Sequence, residues 1–360
     1  MRSKKFVSKI YNIYGTDSHS MARKLLEASD AIKLVPSGGS VALKPNLVVA
    51  GHPDDGATTH AEVLAGCIEY FRDLGVQDIS IIEGSWVGDN TSRAMRTAGY
   101  DEICRKYDVP FIDLKNDKTR NITTPIGPIE ICARALDAGL LVNLPVLKGH
   151  CQTVMTCALK NLKGCLPDKE KRRFHALGLT KPIAALGSVL KAGLIIVDSI
   201  CGDLNFEEGG NPVQTHRMYC GTDPVKIDAY GCSLMGLSLG QVPYIKLAEQ
   251  YGAGRADFSP EDIISLNDPV NAGRYPKPSG RVASLTRNVH EDSACSACYA
   301  SLVRALYASG RGTNRSICIG QGWKEKNIPA GSLGIGNCCA KAGEFVKGCP
   351  PTAKDIAEKL

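Results

Sequence analysis

The chain has 360 residues, 43% of them hydrophobic and 22% charged, with a formal net charge of +6, the make-up of an ordinary globular protein with room for about two domains. That charge is too small to argue for nucleic acid, and no run approaches the roughly 18 apolar residues of a membrane span. The 15 cysteines are an odd number, and the opening "MRSKKFVSKIYNIYG" lacks the apolar stretch of a secretory leader, so a cytoplasmic protein with reduced thiols is expected rather than a disulfide framework.

The opening segment reads as a first strand, with Phe6 and Ile10 among its apolar positions. "GGSVALKPNL" is a strand from Val41 to Leu43, stopped by Pro45. A helix follows, with Thr59 as N-cap, Glu62 completing a capping box, and Leu64, Cys67, Ile68, Phe71 and Leu74 on one apolar face before Gly75. "VQDISIIEG" is the next strand and "TSRAMRTAGY" a short helix. "LDAGLLVNLPVLKGH" and "KAGLIIVDSICGD" are near-continuous apolar runs, as expected of strands buried on both faces. Asp223 caps a further helix with Pro224 at its first position. Strands alternating with helices predict an α/β fold around a mainly parallel sheet flanked by helices over residues 1–285. The turn-rich "RADFSPEDIISLNDPVNAGRYPKPSGR" reads as a connector to a small cysteine-rich segment, residues 286–360.

Ligands of parallel α/β sheets bind beyond the carboxyl ends of the strands. Four apolar runs end there in polar residues: Lys44 and Asn46; Glu83 and Gly84; Asn143, Lys148 and His150; Asp198 and Asp203. The stretch "NLPVLKGHCQTVMTCALKNLKGCLPDKEKRRFHALG" adds Lys160, Asn161 and Lys163. Thr156, Lys160 and Lys163 fall at helical spacing on a segment otherwise rich in apolar residues, where a lysine calls for an anionic partner. The downstream "DKEKRRFH", containing His175, reads as solvated surface. His60, beside a helix N-terminus, is expected to be held neutral. No nucleophile elbow, Walker A loop or H-E-x-x-H helix is present.

In the tail, Cys295 and Cys298 form a C-x-x-C, followed by the Cys338–Cys339 doublet and by Cys349 before two prolines. Buried inert thiols, a structural four-cysteine zinc site and an iron–sulfur cluster are the competing readings. The spacing and the Cys–Pro sequence favour the cluster. Cys318, alternating with isoleucines, reads as a strand core residue.

The chain also resembles the domain of unknown function 362 family. The likeness lies in "ALKPNLV", "TTHAEVL", "EGSWVGDNT", "NLPVLKGHCQTVMTCALKNLKG", "KRRFHALGL", "IVDSICGD", "GTDPVKIDAYGCSLMGL" and, in the tail, "CSACYASLVRAL", "IGNC" and "GCPP". The resemblance implies a [4Fe–4S] segment with Cys295, Cys298, Cys338 and Cys349 as ligands, Cys339 standing beside them as a reserve. The expected function is a redox enzyme acting on an anionic small molecule. Lys44, Lys160 and Lys163 would hold the anion and Asn46, Asn143 and Asn161 orient it, with Glu83, Asp198 and Asp203 balancing charge or binding a second metal. His150 and His175, with Lys148, are the first candidates for catalysis. A redox partner protein or a homodimer fits this reading, and neither nucleic acid nor membrane is expected. A non-catalytic electron carrier and a zinc-stapled protein are the alternatives.

Overall fold

The computed structural model describes residues 8–150, 152–203, 212–269, 284–292, 294, 296–310 and 314–360. In chain order the strands of the body are β1 (Ile10–Tyr14), β2 (Val41–Pro45), β3 (Ile79–Glu83), β4 (Phe111–Asp113) and the hairpin β5 (Thr119–Thr124) and β6 (Gly127–Cys132). They continue with β7 (Leu140–Leu144), the short ribbon β8 (Lys148–His150) and β9 (Val154–Thr156), the long pair β10 (Leu194–Asp203) and β11 (Pro212–Gly221), and β12 (Ile263–Ser265).

Eight of these form one sheet in the order β12-β1-β11-β10-β7-β2-β3-β4. Pairings are parallel from β4 through β3, β2 and β7 to β10, and again between β12 and β1; β11 alone runs against its neighbours. The apolar runs alternate between two cores. Ala42, Ile82, Leu141, Ile195 and Val197 face one, under helices that include Thr180–Val189 and Pro224–Leu234. Leu43, Ile81, Val142 and Ile196 face the other, under Ser18–Ala28 and Ala61–Asp73. Both faces are covered, which is why these strands carry no polar alternation. From β2 the chain builds outward through β3 and β4, then returns to place β7 on the other side of β2. The crevice at that reversal is where a doubly wound sheet receives a ligand.

Several local expectations change. Phe6 lies outside the described residues. Leu74 is half exposed and falls past the end of its helix. Thr59 does not cap that helix: its hydroxyl donates to the Leu144 carbonyl at 2.7 Å and accepts from Asn46 N at 2.9 Å, while Asp198 takes the His60 backbone N–H at 2.9 Å. The connector contributes β12 as an edge strand, though its residues 270–283 lie outside those described. Asp223 does cap its helix, accepting from Val225 N and Lys226 N, with Pro224 at the first turn.

The tail builds its own parallel sheet from β13 (Val289–Glu291), β14 (Ile317–Ile319), β15 (Leu333–Ile335) and β16 (Glu344–Val346). A separate apolar cluster, including Leu302, Leu306, Ile319, Leu333 and Ile356, supports it. It touches the body where Gln152 Nε2 donates to the Ala294 carbonyl at 3.1 Å.

Candidate functional site

Beyond β2 and β3 lies a small, open cleft. Asn46, Glu83, Lys160, Asn161, Lys163 and His175 line it, as do Thr156, Lys171 and Trp86. The expected long helix through Thr156, Lys160 and Lys163 is instead three short pieces: Thr156 ends β9, Lys160 lies in the one-turn helix Ala158–Asn161, and Lys163 in the 3₁₀ turn Leu162–Cys165. The three side chains still meet at the cleft. Asp228, fully buried, anchors this segment by accepting from Ala158 N at 2.7 Å and Leu159 N at 3.3 Å. Burial pushes its carboxyl up to about 7, against the pull of those same donors.

Lys44 does not line the cleft but lies beneath it. Its Nζ is 2.5 Å from Glu83 Oε2 and 2.9 Å from the Pro45 carbonyl, and the two side chains are 0% and 3% exposed. Glu83 Oε1 accepts from Gly84 N at 2.7 Å. Burial raises the Glu83 carboxyl and Lys44 pulls it back. Gly164 closes over the pair: a Cβ there would fall 1.9 Å from Glu83 Oε1. A charge pair this deep is held by geometry and hydrogen bonds, since desolvation opposes it.

Lys171 was hidden in the sequence. The run "DKEKRRFH" forms the helix Asp168–Ala176, which buries Glu170, Lys171, Phe174 and His175 rather than presenting them to solvent. Lys171 Nζ donates to the carbonyls of Gly84 at 2.9 Å and Ser85 at 3.0 Å. Burial lowers its pKa, against Glu83 and Asp168. Gly84 gives that ammonium room: a Cβ there would stand only 3.0 Å from it. Lys163 Nζ sits 3.3 Å from His175 Nε2. Among the described residues three lysines and one carboxylate, Glu83, line the cleft; Lys44 engages Glu83, and Lys171 also lies 3.6 Å from Asp168.

Three asparagines run under the floor. Asn143 Nδ2 donates to the Ala158 carbonyl at 2.9 Å, Asn161 Nδ2 to Asn143 Oδ1 at 2.8 Å, and Asn46 Nδ2 to Asn161 Oδ1 at 2.8 Å. Asn46 Oδ1 and Thr156 Oγ1 are buried without a hydrogen-bond partner among the described residues.

The remaining candidates are placed elsewhere. Lys148 Nζ donates to the Ala57 carbonyl at 2.6 Å, and His150 Nδ1 accepts from Gln152 N and Thr153 N, both at 3.0 Å; neither residue lines the cleft. Asp203 is fully buried at the end of β10. Asp198 faces a second cavity through His60, whose Nδ1 lies 2.7 Å from its Oδ2 while Nε2 is 3.4 Å from Asp54. Burial draws the His60 pKa down, but Asp198 and Asp54 outweigh it and carry it up to about 9. The expected neutral His60 is therefore a cation at neutral pH: two carboxylates act more strongly than the helix end.

In the tail, the helix Ser296–Ala308 carries Cys298, and the 3₁₀ turn Asn337–Cys339 carries the doublet. The doublet is split. Cys339 is buried and donates its thiol to the Cys318 carbonyl at 3.2 Å, whereas Cys338 is half-buried. Asn337 ties that turn to the Cys349 segment, its N donating to Gly348 O and its Oδ1 accepting from Gly348 N, both at 2.9 Å. Gly336, at φ +82°, leaves a cradle in which a Cβ would lie 3.6 Å from Cys298 Sγ and 3.8 Å from Pro351 Cδ. Cys298, Cys338 and Cys349 thus gather around one backbone turn. Cys295 lies outside the described residues, and among those described no three His, Cys, Asp or Glu side chains are placed to hold a metal ion. No described helix is long and apolar enough to cross a membrane.

The sequence pattern of the family described as domain of unknown function (DUF362) matches residues 41–233, more than half of the chain. The thylakoid-associated protein sll1697 of Synechocystis sp. (strain ATCC 27184 / PCC 6803 / Kazusa) is 25% identical over 239 residues, 64% of this chain and 74% of that protein. Among solved structures, the lactate racemase apoprotein from Thermoanaerobacterium thermosaccharolyticum aligns with a TM-score of 0.45 at 14% identity. That match covers 62% of this chain and little more than half, 56%, of the other.

Proposed function

The chain belongs to the DUF362 family, and on that premise we propose that it is an iron–sulfur enzyme whose α/β body binds an anionic small molecule in the cleft beyond β2 and β3. One observation carries the reading: Lys160, Lys163 and Lys171 converge at the sheet's reversal point, beside two buried polar atoms that have no hydrogen-bond partner among the described residues. An oxyanion accepts charge-assisted hydrogen bonds from such lysines. His175, 3.3 Å from Lys163 and on the cleft wall, is the group positioned for proton transfer.

The tail supports the cofactor. Cys298, Cys338 and Cys349, with Cys295, would hold a [4Fe–4S] cluster, and Cys339 would remain a core residue. The Gly336 cradle and the inward turn of Cys339 fit that set. A bound cluster supplies one-electron chemistry.

Anaerobic purification, metal analysis and electron paramagnetic resonance after reduction test the cofactor: iron with a reduced-cluster signal is expected, and a colourless protein with stoichiometric zinc refutes it. Calorimetric titration with inorganic phosphate and with malate tests the cleft. The Lys160→Ala/Lys163→Ala chain is expected to lose at least tenfold in affinity, the scale of one charge-assisted bond. Unchanged binding places the anion elsewhere.

A further inference from the structure

The chain of asparagines constrains what the ligand must carry, given the cleft reading above. A backbone carbonyl only accepts, so the 2.9 Å contact to Ala158 O requires Asn143 to present its Nδ2 there. That turns Asn143 Oδ1 toward Asn161, whose Nδ2 donates to it at 2.8 Å and points to the Pro45 carbonyl at 3.4 Å. Asn161 Oδ1 must then accept, and Asn46 Nδ2 is its donor at 2.8 Å. Each amide orientation follows from the previous one. The last atom, Asn46 Oδ1, is an obligatory acceptor with no donor among the described residues. Reversing the Asn46 amide would set two carbonyl oxygens face to face.

Asn46 is 5% exposed and lines the cleft. Its backbone is fixed on both sides: Asn46 N donates to Thr59 Oγ1 at 2.9 Å, and Thr59 N donates to the Asn46 carbonyl at 3.0 Å. The acceptor is thus preorganised. Thr156 Oγ1, on a residue 2% exposed, adds a hydroxyl that can donate to an oxyanion.

We propose that the ligand is an oxyanion bearing a hydrogen-bond donor, a hydroxyl or amino group close to its carboxylate or phosphate. The lysines and Thr156 receive the oxyanion, and Asn46 Oδ1 receives the donor's hydrogen. An anion without that group leaves the buried oxygen unmade, which is what makes such sites discriminate.

The test is calorimetry on the full chain with two matched pairs, malate against succinate and glycerol 1-phosphate against propyl phosphate. In one pair the hydroxyl-bearing member is expected to bind about tenfold tighter or more. The responding pair identifies the oxyanion as carboxylate or phosphate. Asn46→Leu should bring that ratio close to one. If the variant does not fold, the wild-type ratio decides alone. Equal affinities within both pairs overturn the donor inference and leave the cleft an anion site with a hydrated Asn46. Absence of binding by all four compounds overturns the cleft reading and this inference together.

Discussion

Replacing His60 by Gln removes the cation between Asp198 and Asp54 in the second cavity. In the native chain burial lowers the imidazole pKa, yet Asp198 at 2.7 Å and Asp54 at 3.4 Å carry it up to about 9. Against an unfolded value of about 6.5, that tighter proton binding corresponds to about 3 kcal/mol of folding stability. The folded pKa is the higher one. The contribution is therefore fully present below pH of about 6.5 and is lost as the pH rises through about 9. Urea unfolding of native and His60→Gln chains at pH 6, 7.5 and 9.5 measures it. The difference in unfolding free energy between the two chains should shrink by about 3 kcal/mol across that range. Parallel pH profiles, or an imidazole titrating near 6.5 by NMR, would refute the reasoning.

Other consequences follow from the same packing. Glu83→Gln keeps the shape and the acceptor for Gly84 N but leaves Lys44 buried without its counter-charge; it should cost about 3–5 kcal/mol in urea unfolding, with Lys44→Met/Glu83→Leu recovering most of the loss. Gly164→Ala drives a methyl to 1.9 Å from Glu83 Oε1 and 2.7 Å from Lys44 Nζ, so both melting temperature and oxyanion affinity should fall; Gly343→Ala, with nothing within 4 Å, should change neither. Cys338→Ser should remove the visible absorption of the anaerobically purified protein. Cys339→Ser should keep it, because a serine hydroxyl can still donate to the Cys318 carbonyl.

The sheet was legible because strands buried on both faces cannot alternate, and the runs ending at Asn143 and Asp203 do not. The reversal point gave Asn46, Glu83 and Asn143 as neighbours, since consecutive parallel strands end on the same edge. Lys171 was not legible, because six charges in "DKEKRRFH" look solvated until the Gly84 and Ser85 carbonyls are seen to receive its ammonium. Nor was the partition of the strand ends. Asp198 was read into the lysine crevice, but it turns to His60 across the sheet's far side, a contact 138 residues apart that no local pattern encodes. Thr59 carries a helix-cap signature and instead ties β2 to β7, the tertiary bonds overriding the local one.

Trp86 on the cleft wall and Trp323 in the tail are the two tryptophans of the chain, so a Trp323→Phe protein reports the cleft alone by fluorescence. Titration of that protein with malate and with glycerol 1-phosphate should give a saturable change for the compound that binds, and Lys160→Ala/Lys163→Ala in the same background should abolish it. A flat response to both, or one that survives loss of the two lysines, would contradict an anion-binding cleft at this sheet edge.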